Sequence, residues 1–119
     1  MKENLIAEKS KQFAVRIVKL RRYLADNYKE WVISDQICRS GTSIGANVRE
    51  ALRAQSDADF IAKLHIALKE ADETAYWLEI LHDTEYITVP LYQSLNADCD
   101  EIIKILTAIL KTKKSNLAK

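Results

Sequence analysis

The residue types that most often carry chemistry are sparse in this chain, and their spacing decides what each can do. A di-metal helical bundle needs Glu-x-x-His pairs on two helices. The chain has two histidines, His65 and His82. Ala62 stands three residues before His65, where the acid would be, and Glu79-x-x-His82 is a single copy at a helix end. No metal and no other cofactor is expected. Glu70 and Glu73 lie one turn apart, and Lys69 stands four residues before Glu73, a spacing for ion pairing. Ser40 and Ser43 have no base beside them to make either a nucleophile. Gly41 and Gly45 do not sit in a strand-loop-helix phosphate cradle. Cys38 and Cys99 lack CxxC spacing and nearby histidines, and read as reduced structural thiols. No enzymatic activity is expected.

Two other sets of residues point to binding. The first is basic. Residues 1–30 hold eight Lys or Arg and four Asp or Glu, and Lys9, Lys11, Arg16, Lys19 and Arg22 spread over one side of an amphipathic stretch. Rows of this kind release counterions from a phosphate backbone, so RNA or DNA is one candidate partner. Arg39, Arg49 and Arg53 share one face of the second helix, a second candidate anion surface, though pairing with acids of a neighbouring helix is the preferred reading. Only Tyr23 interleaves the first row to stack a base. Against this stand residues 57–83, with seven acids and two lysines. Oppositely charged helices in a chain of net charge +1 favour pairing with each other, within or between chains.

The second set lies between Arg39 and Ala51. Ile37, Gly41, Ile44, Val48 and Ala51 recur at helical steps and form a core stripe. Gln36, Ser40, Ser43, Asn47 and Glu50 repeat the rhythm about a quarter turn away. That second row is small and uncharged until Glu50. Ser, Gly and Asn cost several tenths to about 1 kcal/mol each in a helix interior relative to Ala. A helix that accepts this needs close backbone approach, so Ser40, Gly41, Ser43, Ile44, Asn47 and Glu50 are expected to line a seam closed by neighbouring helices or a sister subunit. Ile66 and Trp77 belong to the same expectation. They lie off the Phe60, Leu64, Ala67, Ala71, Thr74, Leu78 and Leu81 stripe of the third helix, and apolar residues on several faces imply a second subunit.

Four helices are needed to position these sets: about 5–26, 35–54, 57–82 and 89–111. Ser34 is the expected cap of the second, with Asp35 in its first turn, and Tyr28 and Trp31 are expected to cover that end of the bundle. Ser56 begins a capping box before the third, and Thr88 caps the fourth, with Pro90 in its first turn. Two Gly and one Pro in 119 residues disfavour a many-turned β fold. A chain of this size buries roughly two-thirds of its unfolded surface without a staple. The fold class is all-α, one domain over 1–119, an antiparallel up-down-up-down four-helix bundle. No apolar run approaches about 18 residues and no apolar leader opens the chain, so no membrane association and a cytoplasmic location are expected.

Arg39-Ser40, Ser43-Ile44, Asn47-Val48, Glu50, Ser56, Asp59-Phe60, Ala67-Leu68-Lys69-Glu70-Ala71, Glu73-Thr74 and Tyr76-Trp77-Leu78 carry a resemblance over nearly the whole chain. It is to the bacterial four-helix-bundle family named for proteins encoded within intervening sequences of large-subunit ribosomal RNA genes. Ala51 departs from it, standing where the family commonly has Gly. The resemblance implies a left-handed bundle assembling into a ring, a homopentamer. It also implies likeness in architecture to the accessory variability proteins of diversity-generating retroelements, which bind nucleic acid and a reverse transcriptase. Neither relation supplies catalytic residues. The reading is an oligomeric interaction module, associated with RNA or DNA through its basic faces. The alternative is a structural module that docks another protein.

Overall fold

The computed structural model describes residues 2–118. Nearly all of them fall in four α-helices, α1 (Lys2–Tyr28), α2 (Val32–Leu52), α3 (Asp57–Asp83) and α4 (Val89–Leu117). Contacts between helices show how they run. On α1 and α4, Lys9 meets Glu101 and Arg16 meets Asp98. On α2 and α3, Arg39 meets Glu73 and Glu50 meets Lys63. Arg21 meets Asp35 while Gly45 lies against Ser10, and Asp57 meets Lys113 while His82 lies against Tyr92. In every pair, rising numbers on one helix meet falling numbers on the other, so neighbours are antiparallel. Each helix touches the next in chain order and α4 returns to α1, with no approach across either diagonal. This is an up-down-up-down bundle, 52 × 22 × 20 Å.

The core is the apolar stripe of each helix. Ile6, Phe13, Ile17 and Leu24 of α1 meet Ile37, Ile44 and Val48 of α2, and Leu64, Leu78 and Leu81 of α3 meet Leu95, Ile102 and Leu106 of α4, all fully buried. Burying side chains of this size contributes roughly 1.5–3 kcal/mol each. Ser40 and Thr74 are the polar link inside it, with their hydroxyls 2.9 Å apart. Carbonyl acceptors on their own helices complete the pair: Glu70 O is 2.8 Å from Thr74 Oγ1, and Ile37 O is 3.4 Å from Ser40 Oγ.

The helix ends depart from expectation at three places. Ser34 is not the cap of α2, which starts at Val32 after an N-cap residue, Trp31, that makes no side-chain bond. Glu30 does the work, its carboxylate accepting from Ile33 N at 3.1 Å and Ser34 N at 2.8 Å while Ser34 Oγ donates to Glu30 O. Trp31 does not cover the end of the bundle. It is 53% exposed, and Tyr28 packs edge-on to Tyr23 and Tyr86. Helix α4 continues six residues past Lys111, because Lys113 reaches back to Asp57 at 2.7 Å and lies over the Phe60 ring. The other caps follow the sequence: Ser56 accepts from Asp59 N and Thr88 from Leu91 N. Helix α3 closes on Glu85 in the left-handed region, with Tyr86 N donating to Leu81 O and Glu85 N to His82 O, a Schellman motif built without glycine.

Gly41 sets the α1–α2 distance. A Cβ there would stand 2.8 Å from Ile17 Cγ2 and 2.9 Å from Cγ1, on a stiff β-branched side chain that is fully buried. At Gly45 the nearest atoms, on Ser10, are at 3.4 Å, an ordinary contact. The two glycines therefore respond oppositely to alanine. Helix propensity alone favours both changes by about 1 kcal/mol. Gly45→Ala is expected to realise a gain up to that size. Gly41→Ala should lose about 1–2 kcal/mol net, because overpacking typically costs 1–3. Urea unfolding of the two variants checks this, and equal gains would show that the approach is not tight.

Candidate interaction surfaces

The helices divide the expected basic rows. Lys9 Nζ is 3.0 Å from Glu101 and Arg16 Nη1 is 2.7 Å from Asp98, so both are held by α4. Arg39 turns to α3, at 2.8 Å from Glu73 and 3.8 Å from Glu70. Arg49 and Arg53 lie only about 80° and 40° round the helix from Arg39, but they line the α1–α2 groove without it. The three arginines share one arc of α2, from which the acids of α3 draw Arg39 away. Lys11, Lys19, Arg22, Arg49 and Arg53 make no ion pair among the described residues. Lys11, Arg49 and Arg53 come together on a groove of about 690 Å³ between α1 and α2, floored by Ala7, Ala14, Thr42, Gly45 and Ala46. Lys19 lies apart, on the α1–α4 side with Leu91 and Leu95. The acids in the groove are Glu50, paired with Lys63, and Asp59.

The small-polar seam is a packing edge on one side only. Ser40, Gly41 and Ile44 are buried within the chain. Ser43 and Asn47 are half-buried, not closed off, and bond back to their own helix, at 2.6 Å to Arg39 O and 2.8 Å to Ser43 O. Glu50 is exposed and pairs with Lys63 at 3.3 Å. Glu73 is likewise engaged, not by Lys69 but by Arg39 and by Trp77, whose Nε1 donates to Glu73 Oε2 at 3.1 Å.

The surplus apolar residues of α3 also divide. Ile61, Leu68 and Trp77 pack against the chain's own core. Ile66 remains 43% exposed and Tyr76 53%. Tyr76 rests edge-on against Trp77 with its other side open. The helical period of α3 places Tyr76 on the outer α3–α4 side with Lys69, Asp72 and Glu79. Sequence reasoning weighed the acids of α3 as a total and did not separate those two. Counting which acids an antiparallel neighbour reaches would have isolated them. His82 Nδ1 lies 2.9 Å from Asp83 and its ring 4.5 Å from Tyr92, so the Glu-x-x-His pair is drawn to the α4 side. No group of three or more potential metal ligands gathers among the described residues, and no described helix is long and apolar enough to cross a membrane.

These features define a four-helix bundle whose distinguishing marks are on its surfaces. Residues 2–108 match the family described as 23S rRNA-intervening sequence protein, and the chain belongs to that family. A crystal structure at 1.70 Å of a protein with unknown function from the S23 ribosomal protein family of Bacteroides thetaiotaomicron VPI-5482 is similar, with a TM-score of 0.92 and 61% identity. The match covers 93% of this chain and 99% of that one. No curated protein matches the chain.

The two thiols are both free, Cys38 half-buried on α2 and Cys99 buried on α4. Their helices are diagonal, and the backbones do not come close. Cys99 Sγ donates to Ala71 O at 3.3 Å. Burial first, then the negative charges of Asp72, Asp100 and Asp98, pushes this thiol up to about 12. The unfolded thiol ionises near its ordinary 9.0. Cys99 therefore contributes stability in full below about pH 9 and loses it as pH rises toward about 12. At about pH 8, a thiol reagent should label Cys38 rapidly and Cys99 only on unfolding. The fall of stability above about pH 9 should be shallower in Cys99→Ala. Equal labelling rates in the folded protein would contradict the burial of Cys99.

Proposed function

We propose that this protein is a non-enzymatic interaction module that works as an oligomer of identical chains. The observation that supports it is the exposure of Ile66 and Tyr76 on a helix whose core stripe is already complete. Large apolar side chains left open on a helix with a finished core are covered in many proteins by another subunit. The family resemblance implies a ring, with five copies as its expected size. Light scattering during size exclusion tests the reading: a multiple of the chain mass at micromolar concentration is expected. A clean monomer would remove it.

A second reading, association with RNA or DNA, is favoured by one specific observation. Among the described residues Lys11, Lys19, Arg22, Arg49 and Arg53 make no ion pair, whereas Lys9, Arg16 and Arg39 are paired. Phosphate contacts by free cations make affinity fall steeply with salt. Replacing Lys11, Lys19 and Arg22 with Gln should weaken binding to a mixed-sequence RNA or DNA and flatten its salt dependence. Replacing Lys9 and Arg16 should do less, because those side chains are engaged by α4. Protein docking without nucleic acid predicts no affinity for either polymer near physiological salt.

A further inference from the structure

We infer that the aromatic end of the bundle, between the close of α1 and the α3–α4 turn, binds an organic cation, an alkylammonium group carried on a short arm. Tyr23, Tyr28, Tyr86, Asp83 and Glu85 wall an open recess of about 600 Å³ there. That size lies within the roughly 300–1,000 Å³ of small-molecule sites. Tyr28 packs edge-on to both other rings, at 5.9 Å and 70° from Tyr23 and at 5.3 Å and 89° from Tyr86. Rings set at such angles form a corner and leave faces open, and Tyr23 is 41% exposed and Tyr28 47%. The face of an aromatic ring is the negative side of its quadrupole and attracts a cation within about 6 Å.

Charge agrees with shape. No lysine or arginine lines the recess, and its carboxylates are Asp83 and Glu85. His82 also lines it and lies 2.9 Å from Asp83. Lys19, Arg22 and Lys29 are close in sequence to the tyrosines but stay outside the lining, Lys19 on the α1–α4 side with Leu91 and Leu95. Asp26 is a further acid on this end of α1, and Glu30 is engaged by the start of α2. The two carboxylates of the recess break local rules. A helix C-terminus favours positive charge, yet α3 ends on Asp83 with Glu85 two residues beyond. Glu85 also takes the left-handed conformation, φ 67°, that favours glycine. Lys29 takes it at the end of α1, but with the charge that the dipole favours. Neither acid is drawn to the start of α4, where Thr88 accepts from Leu91 N at 3.3 Å. Local rules broken together mark a site in use. A bound cation answers the rings, the helix end and both carboxylates. A nucleotide would stack on the rings but set its phosphate against Asp83 and Glu85.

NMR titration of the full chain tests this with choline and with the alcohol in which a neutral tert-butyl group replaces the trimethylammonium. Saturable shifts of the Tyr23, Tyr28 and Tyr86 ring signals are expected with choline at millimolar concentration, and none of comparable size with the alcohol. Glu85→Gly removes a carboxylate and relieves the left-handed backbone, so thermal stability should hold or rise while choline affinity falls about threefold. Tyr28→Leu, at an exposed position, should lower the affinity by a similar factor. A short peptide carrying one trimethyllysine separates the two sources of such a cation. Tighter binding than choline assigns a side chain displayed by a protein, weaker binding a free small molecule, and both support the site. No saturable shift with either cation, equal shifts with the alcohol, or unchanged affinity in both variants overturns the inference. So does tighter binding of adenosine monophosphate than of choline, which would make the recess a base-stacking site.

Discussion

The close approach of α1 and α2 at Gly41 is the constraint on which the rest of the molecule depends. Ile17 fills the space a Cβ would take, and packing at crystal-like density leaves no slack for the helix to retreat. Held this near, α2 offers α1 a flank of Gly45, Thr42 and Ala46, and α3 the Ser40 hydroxyl that meets Thr74. The poor helix formers of this stretch thus serve two interfaces at once. The cost in propensity is offset by buried contacts on both sides, and the same small residues open the groove that the free cations border.

Charge is distributed in two tiers. The first ties the helices together: Lys9–Glu101, Arg16–Asp98, Arg21–Asp35, Arg39–Glu73, Lys63–Glu50 and Lys113–Asp57 cover all four neighbouring pairs. At these exposures each contributes about 0–1 kcal/mol, so they set register more than stability. The second tier is what remains: cations outnumber acids on the α1–α2 side, where Glu8 and Asp26 stand among them, while Asp72 and Glu79 share the α3–α4 side with Lys69, Lys111 and Lys114. A net charge of +1 conceals the basic excess of the first two helices.

The helical periods made the bundle legible from sequence. Phe13, Ile17, Ile44, Leu64, Leu78 and Leu106 sit on the stripes their spacing indicates, and all are buried. Helix ends were less legible where the cap is unconventional. Glu30 caps α2 from two residues before its start, and Lys113 extends α4 through a partner 56 positions earlier. The candidate surfaces were legible as residue types and not as groupings. Arg39 shares a helical arc with Arg49 and Arg53 and parts from them only through Glu70 and Glu73 of α3. Which cations remain free depends on which acids the neighbouring antiparallel helix brings within reach. That is tertiary information.

The proposal that copies of this chain bind one another is tested most directly by zero-length cross-linking of a mixture of light-isotope and heavy-isotope chains. Carbodiimide joins a lysine to a carboxylate only at contact. Mixed-isotope peptides linking a lysine of one copy to a carboxylate of another are the expected result. A product containing only same-isotope links, such as Lys9 to Glu101 and Lys113 to Asp57, would contradict the claim.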